Sequence, residues 1–313
     1  MPATRDITRR IKSVKNTRKI TKAMELVAAA KMRKAVDAVL ATRPYAQLSW
    51  ATVSRLARRA GQGQVTHPLL KQRGAVKRIA IILVTSNRGL CGGFNSNLLQ
   101  KVVQSVELYR DIETDFILLG KKGELVYRRY GYQVTADYPK DDVITRVDQV
   151  GSVAHEVIAD YRAGKYDKVL VAYTDFISSL QQLPRLRQLL PVAPDDVAHT
   201  VAVVTRDRIG AASPTDELTT SQAEFADRDY LFEPNPAAIL EAMIPRLVEI
   251  QLFQALLESN ASEHSARMMA MSNATEAADD MIKELTLSYN KARQASITSE
   301  IAEIAGGAAA LAN

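Results

Sequence analysis

The 313-residue sequence predicts an α/β protein: long N- and C-terminal helices forming an antiparallel coiled coil, with a central Rossmann-like α/β domain between them. Three observations predict it. Near the C-terminus, Met268, Met271, Thr275, Ala278, Ile282, Leu285, Tyr289, Ala292, Ser296 and Ser299 alternate in steps of three and four, the period that winds a helix around a partner. Near the N-terminus, Ile7, Val14, Thr21, Ala28, Ala35 and Thr42 form a seven-residue track reinforced by Ile11, Met24, Met32 and Val39, a narrow seam of mostly small residues. Between them, short apolar runs alternate with helical patterns, as in a parallel-sheet domain.

The elements follow in order. Residues 1–60 read as the N-terminal coiled-coil helix. No glycine occurs before Gly61, and Pro44 should kink or stop the helix because it lacks a backbone donor. Residues 61–77 turn to Gly, Gln, His and Pro and read as a linker. Residues 78–193 read as the α/β domain, opening on RIAIILVTS, a continuous apolar strand of the kind buried on both faces. The loop NRGLCGGFN follows, with Asn95 placed to cap a helix over 96–109. Strands are expected at 115–120, 133–138, 167–176 and 185–192, with helices around 124–130 and 147–162. Residues 194–235, rich in Asp, Thr, Ser and Pro, read as a linker segment. Asn235-Pro236 supplies an N-cap and a proline at the first helical position. The C-terminal coiled-coil helix then runs over 236–305, bent locally at Pro245, and 306–313 is a small-residue tail.

Charge supports pairing of the two ends. Residues 1–60 hold 15 Lys+Arg against 3 Asp+Glu, whereas residues 200–313 hold 8 against 17. Opposite charges suit two helices lying side by side. They equally leave open a basic coiled-coil nucleic-acid-binding protein, against which the acidic C-terminal helix speaks. The single cysteine excludes an internal disulfide and an all-cysteine metal site, and the four histidines lack ligand-like spacing. No run of eighteen apolar residues exists, and the N-terminus has no apolar core followed by a cleavage site. An intracellular, metal-free protein is the expectation.

No catalytic, cofactor-binding or metal site is expected either. The glycines at 89, 92 and 93 sit where a doubly wound fold places phosphate, but they do not match G-x-G-x-x-G, and no G-K-[S/T] is present. They read as a structural turn, and Cys91 as a small packed residue. The acidic pairs at 141–142, 195–196 and 279–280 read as solvated loops or a helix face. On these grounds the chain is an interaction or mechanical element.

Residues 10–35, RIKSVKNTRKITKAMELVAAAKMRKA, and residues 262–311, SEHSARMMAMSNATEAADDMIKELTLSYNKARQASITSEIAEIAGGAAAL, closely resemble the gamma subunits of F-type ATP synthases. TSNRGLCGGFN, LLGKKG and DYLFEPNP agree as well. The resemblance implies a rotor shaft, itself non-catalytic and without a cofactor, standing in a hexamer of alpha and beta subunits. Its foot would sit with epsilon on the c-subunit ring, on the cytoplasmic face of a bacterial membrane. By motif position, Met24 and Arg267 match a coupling contact near an acidic loop of beta. Arg293, Gln294, Thr298 and Glu300 match an upper contact with a beta catch loop. Tyr230, Phe232 and Glu233 match the foot that touches the c ring. The segment 194–229 is longer than the resemblance leads one to expect in a bacterial member.

Overall fold

The computed structural model describes residues 2–60, 67–107, 112–192, 233 and 235–311. In chain order the elements are α1 (Pro2–Ala60), β1 (Arg78–Val84), α2 (Phe94–Glu107), β2 (Glu113–Leu119), α3 (Glu124–Tyr130), β3 (Gln133–Tyr138), α4 (Gly151–Arg162), β4 (Lys168–Phe176), β5 (Gln182–Leu190) and α5 (Pro236–Leu311). The chain divides into two compact units. One comprises residues 1–29 and 267–313, and the other residues 30–266.

The larger unit is built on a five-stranded sheet in the order β3-β2-β1-β4-β5. β1 pairs parallel with both β2 and β4, and β2 pairs parallel with β3. β5 departs from the parallel sheet that the alternation of strands and helices predicts: it lies antiparallel to β4. The reason is the connection. Only five residues separate Phe176 from Gln182, and the amides of Ile177 and Ser178 both donate to the carbonyl of Gln181. A turn that short returns the chain antiparallel, since a parallel crossover needs a dozen residues or more.

Strand periodicity sorts the core into two layers. Ile79, Ile81 and Leu83 of β1 join Phe116, Leu118, Leu170 and Ala172 against Leu98, Leu99 and Val102 of α2 and Val126 of α3. Ala80, Ile82 and Val84 join Ile117, Leu119, Val169, Val171 and Tyr173 on the other face. There they meet Val153, Val157 and Tyr161 of α4, Val39 of α1, and Leu240, Ile244, Val248, Leu252, Phe253 and Leu256 of α5. β1 is therefore buried on both sides, as its unbroken apolar run predicts.

Both long helices are continuous through their prolines. Pro44 lies inside α1 and Pro245 inside α5. Two residues before Pro44, the hydroxyl of Thr42 lies 3.0 Å from the carbonyl of Ala38 and 3.1 Å from that of Val39. α5 starts where the sequence signals place it, with Asn235 Oδ1 accepting the Ala238 amide at 2.8 Å. It also continues through Gly306 to Leu311 rather than ending at Ala305. Its first part differs from a narrow coiled-coil seam, for residues 255–265 are all buried. A helix hydrophobic or packed all round is a core helix, and that is its role in the larger unit.

Glycine is required at one turn in this sheet. Gly120, at the end of β2, has φ of +103°, and a Cβ there would stand 2.3 Å from the carbonyl oxygen of Thr85. The close approach lets Thr85 donate its hydroxyl to the Gly120 carbonyl at 2.8 Å.

His67 anchors the segment that enters this core. Its ring is buried, and Nδ1 accepts the Leu69 amide at 3.2 Å. The ring proton therefore sits on Nε2, which stands 2.9 Å from Glu241 Oε2. Burial lowers the His67 pKa below its ordinary 6.5, Glu241 opposing and Arg162 reinforcing the shift. Below pH 6.5 the unfolded chain takes up a proton that the folded chain refuses, so stability falls as pH drops from there through the lower folded-state value. Thermal unfolding from about pH 7.5 to about pH 5 should show this loss, and His67→Asn, which keeps an acceptor for the Leu69 amide, should flatten the slope.

Candidate functional site

The smaller unit is a pair of helical segments whose heptads meet as read. Arg18 Nε stands 2.5 Å from Asp279 Oδ1, and Thr21 Oγ1 stands 2.8 Å from Thr275 Oγ1. Moving up α1 by three residues moves down α5 by four, so the pair is antiparallel. Carried outward, this register sets Val14 level with Ile282, Ile11 with Leu285 and Ile7 with Tyr289. All six are half-buried, whereas Thr21, Ala28, Met271, Thr275 and Ala278 are buried. The seam is narrow because its centre is small: Ala28 is only 2% exposed, so nothing larger fits between the helices there.

The basic face of α1 is left outward. Arg9, Arg10, Lys12, Lys15, Lys19 and Lys22 are exposed, and Arg18 is spent on Asp279. Exposed ion pairs of this kind contribute under about 1 kcal/mol. The same register brings α5 level with the start of α1 near Gln294. Beyond it Ile297, Ile301 and Ile304 lie exposed at helical spacing, Ile304 to 74%. Arg293, Gln294, Thr298 and Glu300 are exposed on this stretch, while Met24 and Arg267 are half-buried beside the seam. Glu233 is exposed; Tyr230 and Phe232 lie outside the described residues, as does the acidic pair at 195–196.

In the larger unit the carboxyl end of the sheet is the second feature. In a sheet ordered this way, ligands bind where neighbouring connections leave in opposite directions, here above β1 and β4. The loop after β1 is tied to itself. Asn95 does not cap α2 as the sequence suggests. Its Oδ1 accepts the Ser86 amide at 3.1 Å and its Nδ2 donates to Ser86 Oγ at 2.7 Å. The Phe94 amide donates to the Cys91 carbonyl, and Cys91 is buried as a packed residue. Leu90 takes a positive φ of 62° in the same turn. The loop is thus tied back on itself through Asn95 and the Phe94 amide.

Above β1 and β4 the chain places its own side chains. Asn87 Nδ2 reaches the Lys140 carbonyl at 2.5 Å, drawing the segment after β3 across the top of β1. Lys31 of α1 holds Asp142 at 2.9 Å, and this hydrogen bond is the main cause of the Asp142 pKa falling to about 2. Asp142 is thus a tie and not the solvated loop residue its sequence setting suggests. From α5, His264 Nε2 donates to the Asp142 carbonyl at 2.8 Å, and Ser265 Oγ donates to the Ser179 carbonyl at 2.7 Å. Lys140 Nζ donates to Glu263 Oε2 at 2.7 Å and to Asn260 Oδ1 at 2.9 Å, both charged side chains being almost wholly buried. No sequence signal joins residues this far apart in the chain. Among the described residues, no group of three His, Cys, Asp or Glu side chains is arranged to hold a metal ion.

A family model described as ATP synthase matches residues 3–311. The ATP synthase gamma chain of Pelotomaculum thermopropionicum is 43% identical, covering 99% of this chain and 100% of the relative. That of Chloroflexus aurantiacus is 40% identical, covering 99% of each. Among solved structures, the rotor of the Euglena gracilis mitochondrial ATP synthase is similar at a TM-score of 0.60 and 17% identity, covering 95% of this chain and 99% of that one. The nucleic-acid alternative finds no support in these matches.

The small seam sets a quantitative expectation. Ala28→Leu inserts a side chain where the helices leave no room, and should lower the stability of the full chain by about 1–3 kcal/mol. Denaturant unfolding of the variant checks this, and Arg18→Ala, which removes only an exposed ion pair, should cost less than about 1 kcal/mol in the same assay.

Proposed function

Because the chain belongs to the gamma-chain family of ATP synthases, we propose that it is the central-stalk rotor subunit of a rotary ATP synthase, transmitting rotation of a c-subunit ring to catalytic beta subunits. The single observation that carries this reading is the end-to-end match to gamma chains, which includes both helices of the coiled coil. Gamma itself carries out no chemistry in this reading; it delivers torque.

The physical features suit that work. Two helices locked antiparallel resist twist better than one, and a small seam keeps the shaft thin. The exposed cations from Arg9 to Lys22 suit an acidic loop on each beta subunit. Contacts of that kind form and release cheaply, as a shaft passing three copies requires. Met24 and Arg267 take the coupling contact beside the seam. Arg293, Gln294, Thr298 and Glu300 take the contact with the beta catch loop, on the stretch of α5 that runs past the start of α1. The exposed Ile297, Ile301 and Ile304 line the same stretch and suit an apolar sleeve of alpha and beta subunits. Tyr230, Phe232 and Glu233 belong to the foot on the c ring, beside epsilon. No helix among the described residues is long and apolar enough to cross a membrane. In this reading the chain therefore meets the cytoplasmic face of the bacterial membrane peripherally, through its partners.

Reconstitution tests the proposal. The purified chain should hydrolyse no ATP, and mixing it with alpha and beta subunits should yield an ATP-hydrolysing assembly with one copy of it, whose rotation a bead or filament on this chain reports. An alpha–beta assembly that forms and excludes the chain would refute the reading. Met24→Lys adds a cation at the coupling contact and should reduce proton pumping by the full complex more than it reduces hydrolysis; equal losses would count against that role for Met24.

A further inference from the structure

The crevice above the carboxyl ends of β1 and β4 is where a doubly wound sheet holds its ligand, and in this chain α5 fills it. Lys140 lies on the segment that Asn87 draws across β1, and its side chain is 1% exposed. Glu263 and Asn260 of α5 come down to it, while Ser265 and Gln182 close the side toward the β4–β5 turn at 3.3 Å. Asn260 spends its oxygen on Lys140, which leaves its Nδ2 as a buried donor with no partner among the described residues. The Lys140 ammonium, steadied by Asn260 Oδ1, thus meets a carboxylate that the chain itself supplies, Glu263 Oε2.

Stability alone does not account for such a pair. A buried ion pair gains little over apolar residues of the same volume, although breaking it by removing one partner is costly. The same crevice could have been closed with leucines such as Leu256 and Leu257, which α5 buries about two turns earlier. A carboxylate on a lysine instead specifies one axial position and one rotation of α5, because the Lys140 ammonium donates at once to Glu263 Oε2 and to Asn260 Oδ1.

We propose that this crevice is a carboxylate-binding site whose resident ligand is Glu263 of the chain's own α5, and that this grip makes the sheet and residues 236–266 of α5 turn as one body. The first half stands on the geometry; the second half rests on the rotor reading above.

Chemical rescue tests it. Glu263→Ala in the full chain strands the Lys140 ammonium and should lower the unfolding midpoint by roughly 10 °C. Acetate should restore most of that loss in a saturable manner, and chloride at equal ionic strength should not. Lys140→Met combined with Glu263→Met should unfold near the wild-type temperature and show no response to acetate. Recovery that chloride matches, or that the double variant shares, overturns the site. If Glu263→Ala does not fold, Glu263→Gln decides, since it keeps the shape and removes the charge. A midpoint at the wild-type value would then overturn the proposal, and a loss that the double variant does not show supports it. In the reconstituted complex, Glu263→Ala should lose coupled proton pumping by severalfold and regain it with acetate. Acetate rescue of unfolding with pumping untouched would keep the site and overturn its role in torque. Failure of the wild-type chain to assemble would instead fail the rotor reading and leave the site standing.

Discussion

A sheet whose central strand is apolar on both faces must be covered twice, and that requirement organises the larger unit. α2 and α3 cover one face. On the other, α4 has only twelve residues, and the cover is completed by α5 from Leu240 to Leu257 with Val39 of α1. At about 25 cal/mol per Å² of apolar surface, burial on that scale is the dominant favourable contribution in this part of the chain. α5 is therefore not an arm attached to a domain. Its first turns are the domain's own core, and residues 260–265 are carried to Lys140, Asp142 and Ser179 as a result.

α5 is packed by different chemistry in each unit. Against the sheet it is gripped by large apolar side chains and by buried polar ties to Lys140, Asp142 and Ser179. Against α1 it is held by alanines, threonines and a thin row of aliphatic residues. The first arrangement fixes position. The second keeps the helices close while spending little of their outer surface, which stays available to other subunits.

The fold was largely legible in the sequence because its signals are periodic. Heptads over Met268–Ala292 and Ile7–Ala28 need no long-range knowledge to detect, and the half-buried rows in the structure follow them residue by residue. Apolar runs marked β1 and β4 for the same reason. Two features escaped. The antiparallel β5 depends on how Ile177–Gln181 turns back, and composition at that turn does not fix a direction. The Lys140–Glu263 tie joins residues 123 positions apart with no periodic pattern linking them, so only the fold brings them together. Asn95 shows a subtler miss: its position favours a cap, but the Ser86 amide and hydroxyl compete for the same side chain and win.

The threonine pair in the seam has one further consequence. Thr275 Oγ1 lies 2.7 Å from the Met271 carbonyl, Thr21 Oγ1 lies 3.0 Å from the Arg18 carbonyl, and the two hydroxyls lie 2.8 Å apart. Two protons face three places to go. Either hydroxyl can donate across the seam while the other donates to its own backbone carbonyl, so the cross-seam bond has two proton arrangements. The seam bond therefore marks the register of the two helices whichever threonine supplies the proton.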